Sequence, residues 1–178
     1  MPPHAQATNN NLVLSITLAV QAMVSWALLT LPVMAPVVAQ ALAVSPTYVG
    51  LYVALAYVGA MVASLGSGAA IVRFGAIRVS QIGLLVCAAG LTLCALPNAL
   101  AVAVGAVLIG IGYGPITPAS SHLLALTTPA HRMSLVFSVK QTGVPLGGVL
   151  SGLLVPSLMN WAGWQPTLLV VEIGRAHV

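Results

Sequence analysis

The chain has 178 residues, of which 3% are charged and 60% hydrophobic, whereas soluble domains carry about 25% charged residues. So little charge cannot cover a water-facing surface, which excludes a soluble fold and implies an all-α polytopic membrane protein. Lys and Arg number 5 against a single acid, Glu172, so the high pI reflects missing acids and does not point to nucleic acid. Cys87 and Cys94 lie about two turns apart in one apolar run, roughly 10 Å of rise and beyond disulfide reach, and read as small packing residues.

Residues 1–11 form a short polar tail. The apolar run behind it is longer than a signal-peptide core and has no cleavage site after it, so it reads as a first span over residues 12–40. That exceeds the roughly 20 residues a bilayer needs, and Pro32 and Pro36 are expected to break its outer part. Thr17, Gln21 and Ser25 recur at i, i+4 spacing and share one face. After the turn signal Ser45-Pro46-Thr47, a second span covers residues 48–72. Its small residues (Gly59, Ala63, Ser67, and Gly66, Ala70) would let a neighbouring helix approach closely.

A basic loop carries Arg73 and Arg78, and a third span follows over residues 79–96. Pro97-Asn98 turns into a fourth span, residues 99–126, whose middle is interrupted from Gly110 to Pro118, including Tyr113 and Pro115. A polar loop with Arg132 precedes the fifth span, residues 133–158. Residues 160–166 read as an interfacial loop with an aromatic belt from Trp161 and Trp164. A sixth span starts near Thr167 and stays apolar only to Val171, too short to cross about 30 Å of hydrocarbon. Residues 172–178 match the translation of a common sequencing-adapter read-through, and are expected to be non-native, with the true protein continuing. The loops after spans two and four hold Arg73, Arg78 and Arg132, while the alternate loops hold no Lys or Arg. The positive-inside rule then places the N-terminus and the basic loops in the cytoplasm of a cell (inner) membrane.

The fifth span sets Lys140 and Gln141 beside Thr142, then runs through Gly143, Pro145, Gly147, Gly148, Ser151 and Gly152. The glycine and serine series is a close-packing and hinge surface. Lys140 lies about 12 Å beyond Arg132 on a helix, within a half-thickness of about 15 Å. It either snorkels back to the interface or faces a cavity, where it attracts an anionic substrate or takes part in coupling. Gln21, Ser25 and Gln141 are further substrate or coupling candidates, against the alternative of bonding across helices. Tyr113 and Trp26 suit packing or a cavity wall, with Tyr113 a further substrate-binding candidate, and His122 suits a hydrogen-bonded structural role. An intramembrane serine protease needs Gly-x-Ser-Gly, and Val149-Leu150-Ser151-Gly152 lacks the first glycine. A channel needs paired half-helix motifs or an acidic ring, and neither is present in the sequence.

Six spans with a basic loop between the second and third resemble the N-terminal half of a major facilitator superfamily transporter. The loop keeps Gly68, Arg73 and Gly75 of the family's signature, with Arg78 one place beyond its basic pair and Val72 where an Asp is expected. The resemblance implies a cytoplasmic gating role for Gly68, Arg73, Gly75 and Arg78. The fourth span has Ala106 or Leu108 where the family often places a coupling arginine. In the fifth, Gly143, Gly147 and Gly148 fit an antiporter-type motif, with Val144 at its proline position and Pro145 one residue late. Inverted three-helix repeats then pair span one with span four, so that Pro32 and Pro36 correspond loosely to Pro115 and Pro118. The resemblance implies a non-enzymatic secondary transporter of a small solute, with a mild preference for an organic anion. Drug or metabolite efflux is the alternative. No cofactor is expected beyond a possible proton or ion gradient, and the implied partners are the bilayer, the substrate and a missing C-terminal six-helix half.

Overall fold

The computed structural model describes the backbone of residues 3–173 and the side chains of residues 10–172. Residues 174–178, most of the stretch read as non-native, lie outside the described residues, while Glu172 and Ile173 continue the last helix. Among the described residues the chain is helical with no strand. The first span divides into α1 (Pro3–Val33) and α2 (Ala35–Ala41), and the second is α3 (Tyr48–Phe74). The third is α4 (Ala76–Cys94), and the fourth divides into α5 (Ala99–Tyr113) and α6 (Ile116–Thr127). A short 3-10 turn, Ala130–Arg132, leads into α7 (Met133–Gln141) and α8 (Gly143–Ala162), and α9 (Trp164–Ile173) closes the described chain. Among the described residues five spans are long and apolar enough to cross a membrane; α9, at 10 residues, reaches only about 15 Å.

The breaks follow from backbone chemistry. Pro32 has no N–H to give the Leu28 carbonyl, and the Tyr52 hydroxyl of α3 donates to that carbonyl instead, at 3.4 Å. A neighbouring span thereby satisfies the acceptor that the proline frees, as a bilayer interior requires. The helix turns at Met34 (φ −90, ψ 2) and restarts with Pro36 in the first turn of α2, where its missing N–H costs nothing. Pro115 likewise caps the start of α6.

Tight ends join the spans. Asn98 Oδ1 accepts from Leu100 N at 2.8 Å and Ala101 N at 3.2 Å, starting α5. Gly75 (φ 83) and Gly163 (φ 86) turn the chain between α3 and α4 and between α8 and α9, in the left-handed region that only glycine adopts freely. The interfacial loop expected at residues 160–166 is therefore absent: α8 runs to Ala162, and Gly163 alone reverses the chain into α9. The third and sixth spans start at Ala76 and Trp164, earlier than the expected 79 and 167. Gln165 Nε2 donates to the Ala95 carbonyl at 3.1 Å, tying α9 to the end of α4.

Two helix pairings organise the bundle. α5 is wedged between α3 and α4, and α8 lies along α1. A Cβ built at Gly59 would stand 2.6 Å from the Val107 carbonyl oxygen, and one at Gly90 2.8 Å from that of Gly105. Glycine is what permits this approach of backbones. Gly66, expected to serve the same purpose, meets nothing within 4 Å. Cys87 and Cys94 are buried and form no disulfide, with Cys87 Sγ donating to the Ile109 carbonyl at 3.3 Å. Outward residues are apolar, Leu65 (83% exposed) and Val72 (87%) among them, as lipid contact demands.

Candidate functional site

α8 buries Gly143, Gly147, Ser151 and Val155, an i, i+4 stripe that faces one neighbour. That neighbour is α1. A Cβ at Gly143 would stand 2.9 Å from Gln21 Cβ, and one at Gly147 2.6 Å from Ser25 Cβ. The two glycines therefore leave the room in which the Gln21 and Ser25 side chains sit. Lys140, at the end of α7 and one turn before Gly143, is 1% exposed, and Thr17, Gln21 and Ser25 are buried as well. The face shared by Thr17, Gln21 and Ser25 is thus the one turned inward.

The electrostatics of this seam are unusual. Buried side-chain nitrogens and oxygens without a hydrogen-bond partner are, among the described residues, Gln21 Nε2, Ser25 Oγ, Trp26 Nε1, Lys140 Nζ and Ser151 Oγ. All five lie on α1, α7 or α8. Each can donate a hydrogen bond, and the nitrogens of Gln21, Trp26 and Lys140 can only donate. An unmatched buried donor costs about 1–3 kcal/mol, and more if it is charged. No described carboxylate offsets Lys140: Glu172 Oε2 accepts from the Thr92 hydroxyl at 3.0 Å, on α4.

One group from the fourth span joins the cluster. Thr117 Oγ1 donates to Gln21 Oε1 at 3.2 Å, which occupies the amide oxygen and leaves the amide N–H groups free. Tyr113, half-buried on the preceding α5, interacts with the Ser25 side chain, although the Ser25 hydroxyl completes no well-formed hydrogen bond. The structure therefore brings Lys140, Gln21, Ser25 and Tyr113 to one region where spans one, four and five meet. Gln141 is exposed and stands apart from it. Thr117 was not singled out in the sequence; its only signal there was a hydroxyl just past the Gly114-Pro115 interruption. Among the described residues no base is bonded to the Ser151 hydroxyl, whereas a serine nucleophile requires one.

The remaining candidates occupy other places. Gly68, Arg73, Gly75 and Arg78 lie at the basic end and are exposed, with the Arg73 guanidinium 5.3 Å from the centre of the Phe74 ring. Pro32 and Pro36 flank the α1–α2 break, Pro115 and Pro118 flank the start of α6, and Pro145 sits in the first turn of α8. A Cβ built at Gly148 would stand 3.4 Å from Leu29 Cδ1, whereas one at Gly152 would meet nothing within 4 Å. His122 is exposed.

No curated protein matches the chain. The family model described as Major Facilitator Superfamily matches residues 14–172, from near the start of the first span to within one residue of the end of α9. By that match the chain belongs to the major facilitator superfamily, whose members are membrane transporters and not enzymes.

Proposed function

We propose that this protein works as a secondary active transporter that moves a small organic anion by alternating access. The observation that carries this reading is the unpaired buried Nζ of Lys140, set among further unpaired donors on α1 and α8. A site rich in donors and lacking a carboxylate is complementary to a solute that brings its own negative charge. Interrupted helices, here α1–α2, α5–α6 and α7–α8, supply the irregular backbone from which transporter sites are built near the bilayer midplane. The other wall of the cavity belongs, on this reading, to a second six-helix half. Arg73, Arg78 and Arg132 orient the N-terminus and the basic loops towards the cytoplasm, and a proton or ion gradient drives the cycle without a bound cofactor.

Efflux of a drug-like solute is the second reading, favoured by the Gly143, Gly147 and Gly148 series, of which Gly143 and Gly147 meet the α1 backbone. Counterflow of radiolabelled organic anions into vesicles, from cells expressing the whole reading frame, separates the possibilities. Saturable exchange that is lost in Lys140→Ala supports the anion site. Unsaturable flux identifies a pore, and uptake by Lys140→Ala equal to wild type at both limiting and saturating solute overturns the assignment of Lys140.

A further inference from the structure

At the basic end, the turn between α3 and α4 and the final turns of α6 enclose a groove of about 540 Å³. Its wall is hydrocarbon, from Ile71, Phe74, Ile77 and Leu126, and its polar side chains are Arg78, Gln81 and His122. Arg78 is exposed, and no described residue gives it a hydrogen bond or ion pair. Val72, beside Arg73, is 87% exposed. The chain's one acid is engaged with Thr92. None of the groove residues belongs to the Lys140 seam.

Arg78 stands at the first turn of α4 and Phe74 at the last residue of α3, so the groove spans the level where a bilayer changes from headgroup to acyl chain. A cation at the rim and an apolar wall below it match a molecule with a phosphate attached to a hydrocarbon tail. A small hydrated anion would gain nothing from Ile71, Ile77 and Leu126. We propose that this groove is a binding site for an anionic phospholipid, with the phosphate against Arg78 and His122 and one acyl chain along Ile77 and Leu126. The lipid supplies the negative charge that the loop itself lacks.

Native mass spectrometry of the full chain, exchanged into phosphatidylglycerol or phosphatidylcholine, tests this. Retained phosphatidylglycerol should exceed phosphatidylcholine, and Arg78→Gln should lower that retention about fivefold, as expected for one basic residue at an anionic surface. Arg78→Lys keeps the charge and should retain the lipid, and Arg132→Gln, outside the groove, should match wild type. Should Arg78→Gln fail to fold, the wild-type chain still decides: added salt should release phosphatidylglycerol and leave phosphatidylcholine unchanged. Equal retention of both lipids, or undiminished retention in a folded Arg78→Gln, overturns the site. Displacement of the lipid by inorganic phosphate alone would reduce it to a simple anion contact and overturn the lipid assignment.

Discussion

The bundle contains two glycine-lined seams, α3 against α5 and α1 against α8, and they are built from the same backbone device to different ends. An inverted three-helix repeat exchanges span one with four and two with five, so the two seams are counterparts in such a scheme. On the α3–α5 side, Gly110 approaches the Ala56 carbonyl and Gly114 approaches that of Ala60, and no buried side-chain donor there lacks a partner among the described residues. Even the hydroxyl of Tyr52 is used, on the carbonyl freed by Pro32. On the α1–α8 side the same closeness surrounds Gln21, Ser25, Trp26, Lys140 and Ser151, each with an unmatched atom. One seam is an apolar joint. The other stores unmet hydrogen bonding, a cost worth bearing only where a ligand or water completes it.

The largest effect should come from removing the cation of the polar seam. Lys140→Ala is expected to reduce transport about a hundredfold, the range for deleting one member of a buried charge interaction, as read from initial uptake rates. Lys140→Met sharpens the contrast further. It should raise thermal stability by about 1–3 kcal/mol because an unpaired buried donor disappears, while transport is still lost. A melting temperature below wild type would mean that Lys140 is paired in the working protein.

The apolar seam should show the opposite behaviour. Gly110→Ala places a methyl group on the Ala56 carbonyl and should destabilise the protein by about 1–3 kcal/mol through overpacking, followed by thermal melting in detergent. If Gly110→Ala melts like wild type, the α3–α5 joint is looser than its geometry. Ser151→Ala, which removes an orphaned hydroxyl of the polar seam, should stabilise the protein by about 1 kcal/mol and lower uptake less than Lys140→Ala, since it deletes one neutral donor and leaves the others in place. The smallest effect belongs to Gly152→Ala. It faces open space and should stabilise α8 by about 0.5–1 kcal/mol through propensity alone, and a loss of stability there would place a further helix against it.

Much of the fold was legible in the residues because a bilayer admits few alternatives. Apolar runs of spanning length, arginines confined to alternate loops, and prolines near the helix breaks each act locally, and lipid punishes an unsatisfied backbone wherever it occurs. At residues 160–166 the paired Trp161 and Trp164 suggest an interfacial loop, yet both lie in helices and Gly163 alone reverses the chain between them. Glycine spacing was less informative than it looked. Gly59 and Gly66 have the same chemistry in one helix, yet only the first meets a neighbour, since spacing defines a face and not what lies opposite it.

The sequence by itself determined that this chain crosses a membrane several times and that Lys140 is an ionisable residue within a span. Only the tertiary structure decided that Lys140 is buried without a partner among the described residues, that Gln21 and Ser25 stand with it while Gln141 does not, and that Thr117 of a distant span binds the Gln21 amide. The physical reason is range. Solvation by lipid and helix periodicity are properties of neighbouring residues along the chain, whereas hydrogen-bond satisfaction of a buried group depends on atoms brought within about 3 Å from helices far apart in sequence.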